Sequence, residues 1–573
     1  MKIEIGSYAG FCRGVRHAVD RSFQIARSSH IPVVTDGELI HNPQTLALLS
    51  AHGIQPLTAD ETLKDKTVIV RAHGVTPARL AELKSNAGTV INLTCRDVAK
   101  VQAIIKKHSA AGAAVIIFGK PDHPEVIGLT GFAQQAYVVQ RAADVDALPP
   151  LGNVLLVSQT TMEQEQFALV ATRVRERFAG AEVVNTICAA TEERQKEVKE
   201  MAARNDAIIV VGGSKSSNTK RLVEIAAAHV DAFAVETVAD ALAIDISQYT
   251  RIGITAGAST PDWLIEEVAA AVREKALNPV MRLGELAVRF AVYSNLFVAA
   301  GVLLLSFAVA DISGMRYPLI FSLIGVLYYF SMSVLNNYTN RHTLRLHDRR
   351  RYDFVYRFRI LFTLVFVAAI AATLIAARAI NRDIFMLTMF SLTLGIAYNM
   401  SFLPIPEKSR LLFFRLRGIP AFKSFVISVA VMVLLNGLPA LVDTGRVFAH
   451  RWDFFFSCLF VLTLILTRQT LLEFKTAQTD RISGGGGLVT LFGRKPLLVI
   501  LFALQAAGII AFIIGCSAGI MPYRKLLYLV PLICNIVLIA LASNVTLLRT
   551  RFGYEFLIDS NLFIAGLIGL AHL

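Results

Sequence analysis

The sequence predicts two folds in succession: an α/β body of three similar units over residues 1–280, then an all-α membrane bundle over residues 285–573. Three observations carry this expectation. Residues 1 to about 280 alternate short apolar runs with charged amphipathic stretches, strand then helix throughout, which is the order of mostly parallel sheets. From about residue 288 apolar runs of roughly 18–23 residues dominate, the length that crosses a bilayer. Cys12, Cys95 and Cys188 stand alone in the first half. They are roughly 90 residues apart, without the short spacing of a zinc knuckle or a redox CxxC.

Each of these cysteines ends or follows an apolar, strand-like run, in GFCRGV, NLTCRDV and NTICAAT. The near-even spacing suggests that each unit delivers one thiolate to a common centre. Three thiolates suit an iron–sulfur cluster with one iron left open, because a structural cluster normally takes four protein ligands. Free cysteines also serve as small buried packing residues. The polar, Gly-bearing surroundings of these three argue against that reading. Cys458, Cys516 and Cys534 lie inside apolar runs and read as packing residues.

Several strands of the first half run into polar loops. TVIVRAHGV places His73 and Gly74 after one strand, and AAVIIFGKPDHPEV places His123 and Glu125 after another. NVLLVSQTT ends in Thr160 and Thr161, AIIVVGGSKSSNTKR carries Ser216, Ser217 and Asn218, and RIGITAGAST ends in Ser259. Ligands of α/β folds sit beyond the carboxyl ends of parallel strands, and hydroxyl-rich loops at helix N-termini suit phosphate. His41, in ELIHNPQT, is a third strand-end histidine. The three histidines are alternatively metal ligands, but they lack the i, i+4 helix pairing of a hydrolytic zinc site. Their Ser- and Thr-rich neighbourhood favours donors to phosphate oxygens. Glu125 follows His123-Pro124 and is held stiffly. A carboxyl in a dry, anionic pocket has a raised pKa and can deliver a proton.

GFCRGV, HN at 41–42, AHGV, LTC, HPEV, SQTT, TIC, SKSSN and TAGAS occur in that order. Together they resemble the 4-hydroxy-3-methylbut-2-enyl diphosphate reductases of the LytB/IspH type, over residues 1–275. The resemblance implies a cytoplasmic, three-lobed α/β domain around a central 4Fe–4S cluster held by Cys12, Cys95 and Cys188. It implies that His41, His73 and His123 bind the diphosphate or orient the substrate. Ser216, Ser217, Asn218 and Ser259 would complete the diphosphate cradle, Thr160 would bond near the substrate oxygen, and Glu125 would supply protons. The implied reaction removes an allylic hydroxyl as water with two electrons and two protons, giving isopentenyl and dimethylallyl diphosphates. The electrons would come from a donor such as ferredoxin or flavodoxin. Two departures stand out. The family usually carries Asp-Ala-Thr-Cys-Pro at the second cysteine, and here Asn92-Leu93-Thr94-Cys95-Arg96 stands in its place. At the third it usually carries Asp-Thr-Ile-Cys and then an aromatic, whereas here Asn185 precedes and Ala189 follows. Neither removes a ligand; both alter the surroundings that tune a cluster.

In the second half about nine spans are expected, near residues 300, 325, 370, 394, 432, 463, 508, 535 and 564. The formal charge of +14 raises the question of nucleic acid. Its distribution answers otherwise: alternate loops carry about 19 Lys plus Arg on one side and about 7 on the other, the positive-inside pattern. MKIEIGSYAGFCRGV reads as a strand entering a motif, so the first half is expected in the cytoplasm and the bundle in the cytoplasmic membrane. REKALNPVMRLGE, 273–285, reads as the linker, with Pro279 breaking the preceding helix.

SVLNNYTNR at 333–341, LLEFKTAQTDRISGGGGLVTLFGRK at 471–495, and AYNMSFLP with RGIPAFKSFVIS at 397–428 resemble motif regions of UbiA-type prenyltransferases. That resemblance implies two Asp-rich clusters binding Mg²⁺ and a prenyl diphosphate. Here the first cluster is reduced to Asn336 and Asn340. The second keeps Glu473 and Asp480, with Thr476 where an Asp is expected. Asparagine ligates a cation without neutralising it, so Mg²⁺ binding is expected to be weak, with Arg341, Lys475 and Arg481 sharing the anion's charge. The expected whole is a reductase tethered to a prenyltransferase-like membrane domain. The alternatives are a bifunctional reductase and prenyltransferase, or a membrane half that only anchors or binds lipid.

Overall fold

The computed structural model describes residues 1–58, 62–315, 319–399, 422–483, 487–543 and 551–572. The chain divides into two compact units, Met1–Leu277 and Asn278–Leu573.

The first unit contains strands β1 (Lys2–Ile5), β2 (Val33–Asp36), β3 (Ile54–Pro56), β4 (Thr67–Val70), β5 (Thr89–Asn92) and β6 (Ala114–Phe118). It continues with β7 (Ala136–Val139), β8 (Val154–Ser158), β9 (Glu182–Val183), β10 (Ala207–Val211), β11 (Asp231–Val235) and β12 (Arg251–Ala256). They form three four-stranded sheets with the orders β3-β2-β4-β5, β7-β6-β8-β9 and β11-β10-β12-β1. The recorded pairings are all parallel. The same topology is thus built three times. In the third sheet the fourth place is taken by β1, which pairs Ile3 with Ile252 across nearly the whole unit.

Central strands β2, β4, β6, β8 and β10 are buried along their whole length. Their continuous apolar runs, such as Ala114–Phe118, are what a parallel sheet covered on both faces requires. The fourth strands β5, β9 and β1 lie at sheet edges and are partly exposed. Each is followed by one of the three cysteines. The repeat spacing of those cysteines therefore reflects one structural position used three times.

The second unit is helical. Among the described residues eight helices are long and apolar enough to cross a membrane: Leu296–Ser313, Leu319–Thr339, Arg359–Ile380, Ser424–Val442, Arg451–Ala477, Arg494–Ser517, Tyr523–Ala542 and Gly553–His572. They match eight of the nine expected spans. The remaining one, near residue 394, is the 18-residue helix Arg382–Asn399. Its terminal Arg382, Asp383 and Asn399 make it less apolar than the others. Most of the expected motif at 397–428 lies outside the described residues.

Two features hold the bundle. A Cβ added to Gly566 would lie 2.3 Å from the backbone of Leu304, and one on Gly569 would lie 2.4 Å from that of Ala308. Small residues let the first and last spans meet backbone to backbone, as in other membrane helix pairs. Polar side chains also link spans in their interior. Arg468 bonds Asp559 at 2.6 Å and the Tyr329 hydroxyl at 2.9 Å. Gln505 bonds Thr467, Asn535 bonds Gln505, and Asn561 bonds Asn535 at 2.7 to 3.1 Å. Asp559 and Asn561, which interrupt the last apolar run, are partners in these links.

Pro279 does not lead into an extended linker. It occupies the first turn of a new helix, Pro279–Tyr293, capped by Asn278, whose side-chain oxygen accepts from the Met281 N–H at 2.8 Å. Pro is pre-organised for that position, where its missing N–H costs nothing.

Candidate active site

The three cysteines share one local structure. Each is the N-cap residue of a helix: Cys12 of Arg13–Ser28, Cys95 of Arg96–Ala110 and Cys188 of Ala189–Ala202. Each backbone N–H donates to a carbonyl in the loop after the third strand of its sheet. Cys12 bonds Ala258 at 3.0 Å, Cys95 bonds Ala72 at 2.9 Å, and Cys188 bonds Thr160 at 3.0 Å. The thiols thus stand at three positive helix ends, which favour anionic sulfur.

They also approach one another. Cys12 acts electrostatically on both Cys95 and Cys188. A Cβ on Gly14 would lie 2.4 Å from the Cys95 sulfur, so the first turn after Cys12 is pressed against Cys95. Burial raises the Cys95 thiol and pushes Cys188 up to about 11, and the Cys12 charge adds to both. Three such thiolates coexist only around a cationic centre. Three thiols brought together at helix N-termini fit an iron–sulfur cluster.

Arg194 completes this centre, and the sequence reading missed it. It is 4% exposed, donating from Nη1 to the Ala190 carbonyl at 2.6 Å and from Nη2 to the Gly10 carbonyl at 2.8 Å. It therefore ties the Cys12 and Cys188 segments together. Its Nε is buried without a partner, and its charge acts on both thiols. An orphaned cationic donor here fits an anionic cluster. No motif singles out Arg194, because it lies six residues beyond Cys188 on an ordinary helix face.

At both departures from the family pattern the local turn survives. The Asn92 side-chain oxygen accepts from the Thr94 N–H at 3.0 Å and the Thr94 hydroxyl at 2.6 Å. The Asn185 oxygen accepts from the Ile187 N–H at 3.1 Å. Each asparagine gives the acceptor that the turn needs and leaves out a negative charge beside the thiols.

His41, His73 and His123 converge, with ligating atoms within 4.8 Å of one another and ring centroids 4.6 to 5.9 Å apart. Burial drives His73 well below the usual range, with His41, His123 and Arg71 adding to the effect. Burial likewise lowers His123 to about 4, helped by His41, Lys120 and Arg71. The site is positive without its ligand, and Arg71 and Lys120 repel a metal cation. An anion suits it. The His123 Nδ1 accepts from the Glu125 N–H at 3.2 Å, so the neutral ring carries its proton on Nε2.

Of the other residues expected in the cradle, Ser259 lies against His41. The Ser259 hydroxyl donates to the His41 carbonyl at 3.2 Å, and a Cβ on Gly213 would lie 2.7 Å from that same oxygen. Ser216 caps the helix Ser217–Ala227. Both amide atoms of Asn218, the amide nitrogen of Asn42, Nδ1 of His73 and the Thr255 hydroxyl are buried without partners. Buried polar groups are normally satisfied, so this cluster of orphans marks a place for a polar ligand.

Glu125 is 2% exposed. Its carboxylate accepts from the Thr160 N–H at 2.7 Å and the Thr160 hydroxyl at 2.9 Å. Burial pushes it up to about 7 against those two bonds, with Asp97 adding repulsion. The Thr160 carbonyl in turn receives the Cys188 N–H, so acid and thiol are joined through one residue.

The membrane-half candidates are engaged locally. Asn340 bonds the Asn336 side chain at 2.6 Å, and Thr476 donates to Asp480 at 2.6 Å. Glu473 accepts from the Ser424 hydroxyl and from the Val489 N–H. Lys475 is bound to Glu555 at 2.8 Å, where the sequence expected it to serve an anion.

A profile of the family described as LytB protein matches residues 3–273. Over 284 residues the chain is 38% identical to the 4-hydroxy-3-methylbut-2-enyl diphosphate reductase of Opitutus terrae, covering 47% of this chain and 98% of that protein. A solved structure of (E)-4-hydroxy-3-methyl-but-2-enyl diphosphate reductase, the terminal enzyme of the non-mevalonate pathway, aligns at 34% identity and a TM-score of 0.40. That alignment covers 48% of this chain and 100% of the other. An apo UbiA homologue from Aeropyrum pernix K1 aligns at 16% identity and a TM-score of 0.37, over 48% of this chain and 99% of that one. Since the first of these relatives is matched almost end to end by the unit that carries the cysteines, histidines and Glu125, the chain belongs to the LytB protein family.

Proposed function

We propose that the first unit reduces 4-hydroxy-3-methylbut-2-enyl diphosphate to isopentenyl and dimethylallyl diphosphates, and that the helical unit keeps it at a membrane. The observation that carries this is the placement of a buried, proton-bearing Glu125 beside both a three-cysteine centre and a three-histidine anion pocket. Cys12, Cys95 and Cys188 would hold a 4Fe–4S cluster, which supplies single electrons and an open position for the substrate hydroxyl when bound. The electrons come from an external carrier such as ferredoxin or flavodoxin.

The chain's own residues do the rest. His41, His73 and His123 donate to the diphosphate, with Asn218, Ser216, Ser217 and Ser259 closing around it. Glu125, half protonated near neutrality, passes a proton through the Thr160 hydroxyl to the departing oxygen. Two electrons and two protons enter in total. The C–O bond breaks, one proton leaves with the hydroxyl as water, and the other ends on the allylic carbon skeleton.

The membrane unit is an anchor in this reading. The capping of the Leu488–Phe492 helix by Glu473, and the Thr476–Asp480 bond, occupy the acids that a Mg²⁺-diphosphate site needs. The excess of Lys and Arg in alternate loops supports a first unit on the cytoplasmic side of the cytoplasmic membrane.

Five outcomes test this. Because an anion restores the protons that burial removes from His73 and His123, inorganic pyrophosphate should bind with proton uptake and tighten from pH 8 to pH 6. Calorimetry in buffers of different ionisation enthalpy measures this, and His123→Asn should take up fewer protons; equal uptake contradicts the pocket. Glu125→Gln should lower turnover by roughly 10²-fold or more with pyrophosphate affinity kept. Wild-type turnover should fall as pH rises through about 7, where Glu125 loses its proton; a flat profile would move the acid role elsewhere. A cysteine at Arg349 should be labelled by impermeant reagents only from the cytoplasmic side, and one at Thr444 only from the other; the reverse pattern sinks the orientation. The full chain, supplied with a prenyl diphosphate and an aromatic acceptor, should give no Mg²⁺-dependent transfer, and transfer would restore the bifunctional reading.

A further inference from the structure

The helix Pro279–Tyr293 is turned the wrong way for water. Val280, Leu283, Leu286, Ala287 and Phe290 recur at spacings of three and four and share one face. That face is open: Val280 is 81% exposed, Leu283 70%, Phe290 53% and Leu286 44%. Glu285 and Arg289 share another face, bonded to each other at 2.8 Å, with side chains only 20% and 15% exposed. So the polar face packs inward and the apolar face looks out. Near its end the helix is fixed to the bundle. The Tyr293 hydroxyl donates to Asp348 at 3.3 Å, and the Phe290 and Tyr293 rings meet Phe354 at 5.7 and 6.1 Å.

Its position says what covers it. The helix ends at Ser294, whose N–H bonds the Phe290 carbonyl, and Asn295 then adopts a left-handed φ of 63°. The first apolar span begins at the next residue, Leu296. The left-handed residue interrupts the α-helix, so Pro279–Tyr293 is a separate helix that ends where the bilayer begins. An aqueous surface would not carry this apolar stripe, and the headgroup–acyl boundary would.

We propose that Pro279–Tyr293 lies in the membrane interface, its Val280–Leu283–Leu286–Phe290 face sunk among the lipid chains. Exposed Arg282, beside that stripe, lies within reach of lipid phosphates, and basic side chains reach up from such helices in this way. The entry to the membrane is then a surface-bound helix that precedes the first span.

The test places tryptophan at Leu283 in the full chain reconstituted in nanodiscs, with native Trp263 and Trp452 subtracted using the parent protein. Lipids brominated high on the acyl chain should quench Leu283→Trp emission at least twofold, and a tryptophan at Val280 should behave alike. Glu285→Trp, on the inward face, should be quenched less. A blue-shifted but unquenched Leu283→Trp would mean that protein, not lipid, covers the face. Red-shifted, unquenched emission would mean that it stays in water. Either result overturns the proposal, and neither depends on whether the first unit is a reductase.

Discussion

One backbone hydrogen bond, made three times, sets the geometry of the catalytic unit. In each sheet the N–H of the cysteine after the fourth strand is held by a carbonyl after the third, Ala258, Ala72 or Thr160. A parallel sheet delivers all its carboxyl ends to one side. Three sheets of identical strand order can therefore deliver three thiols to one point without a short sequence motif. The histidines follow from the same rule: His41 and His123 come after the second strands of their sheets, β2 and β6, and His73 after a third, β4. The Cys12 sheet needs its fourth strand from the far end of the chain, which ties β1 to β12 and closes the unit.

Electrostatics explains what surrounds that point. In the proposed reaction a diphosphate and an anionic cluster sit side by side, an arrangement that repels itself. The unit answers with positive ends of three helices, each equivalent to about half a charge, and with Arg71, Lys120 and the buried Arg194. The asparagines at 92 and 185 belong to the same pattern, since they keep two turns without adding carboxylates. Glu125, the proposed proton donor, is the exception. It is the one buried acid in direct contact with Thr160, and burial holds its proton near neutrality instead of discarding it.

Most of this unit could be read from the chain. Apolar runs such as AVIIF and AIIVV become fully buried central strands because parallel sheets covered on both faces leave no alternation to misread. Cys12, Cys95, Cys188 and the strand-end histidines announce themselves by residue type and by standing in polar loops. Less was legible where the signal is not local. The β9 strand has two residues and no pattern, and the pairing of β1 with β12 joins opposite ends of the unit. Arg194 occupies a helix interior where its carbonyl partners, Gly10 and Ala190, are set by the fold. In the same way Pro279 marked the break after Ala276, but not that a new helix begins at the proline itself.

The membrane unit inverts the usual relation between polarity and burial, and that inversion separates its structural charges from functional ones. Polar side chains in hydrocarbon normally mark a site. Here Arg468 is matched to Asp559 and Tyr329, while Lys475 and Arg351 are both matched to Glu555. These bonds join spans that the chain visits far apart, so their cost in desolvation is met by fixing which helix lies against which. Glu473 is used likewise, holding the turn at Gly487 that leads into the next helix. A carboxylate with protein donors already in place is a poor metal ligand, because binding a cation would first have to break those bonds. The acids retained from a prenyltransferase-like pattern thus bond within the bundle, Glu473 to Ser424 and Val489 and Asp480 to Thr476, which is what the proposed anchor needs of them.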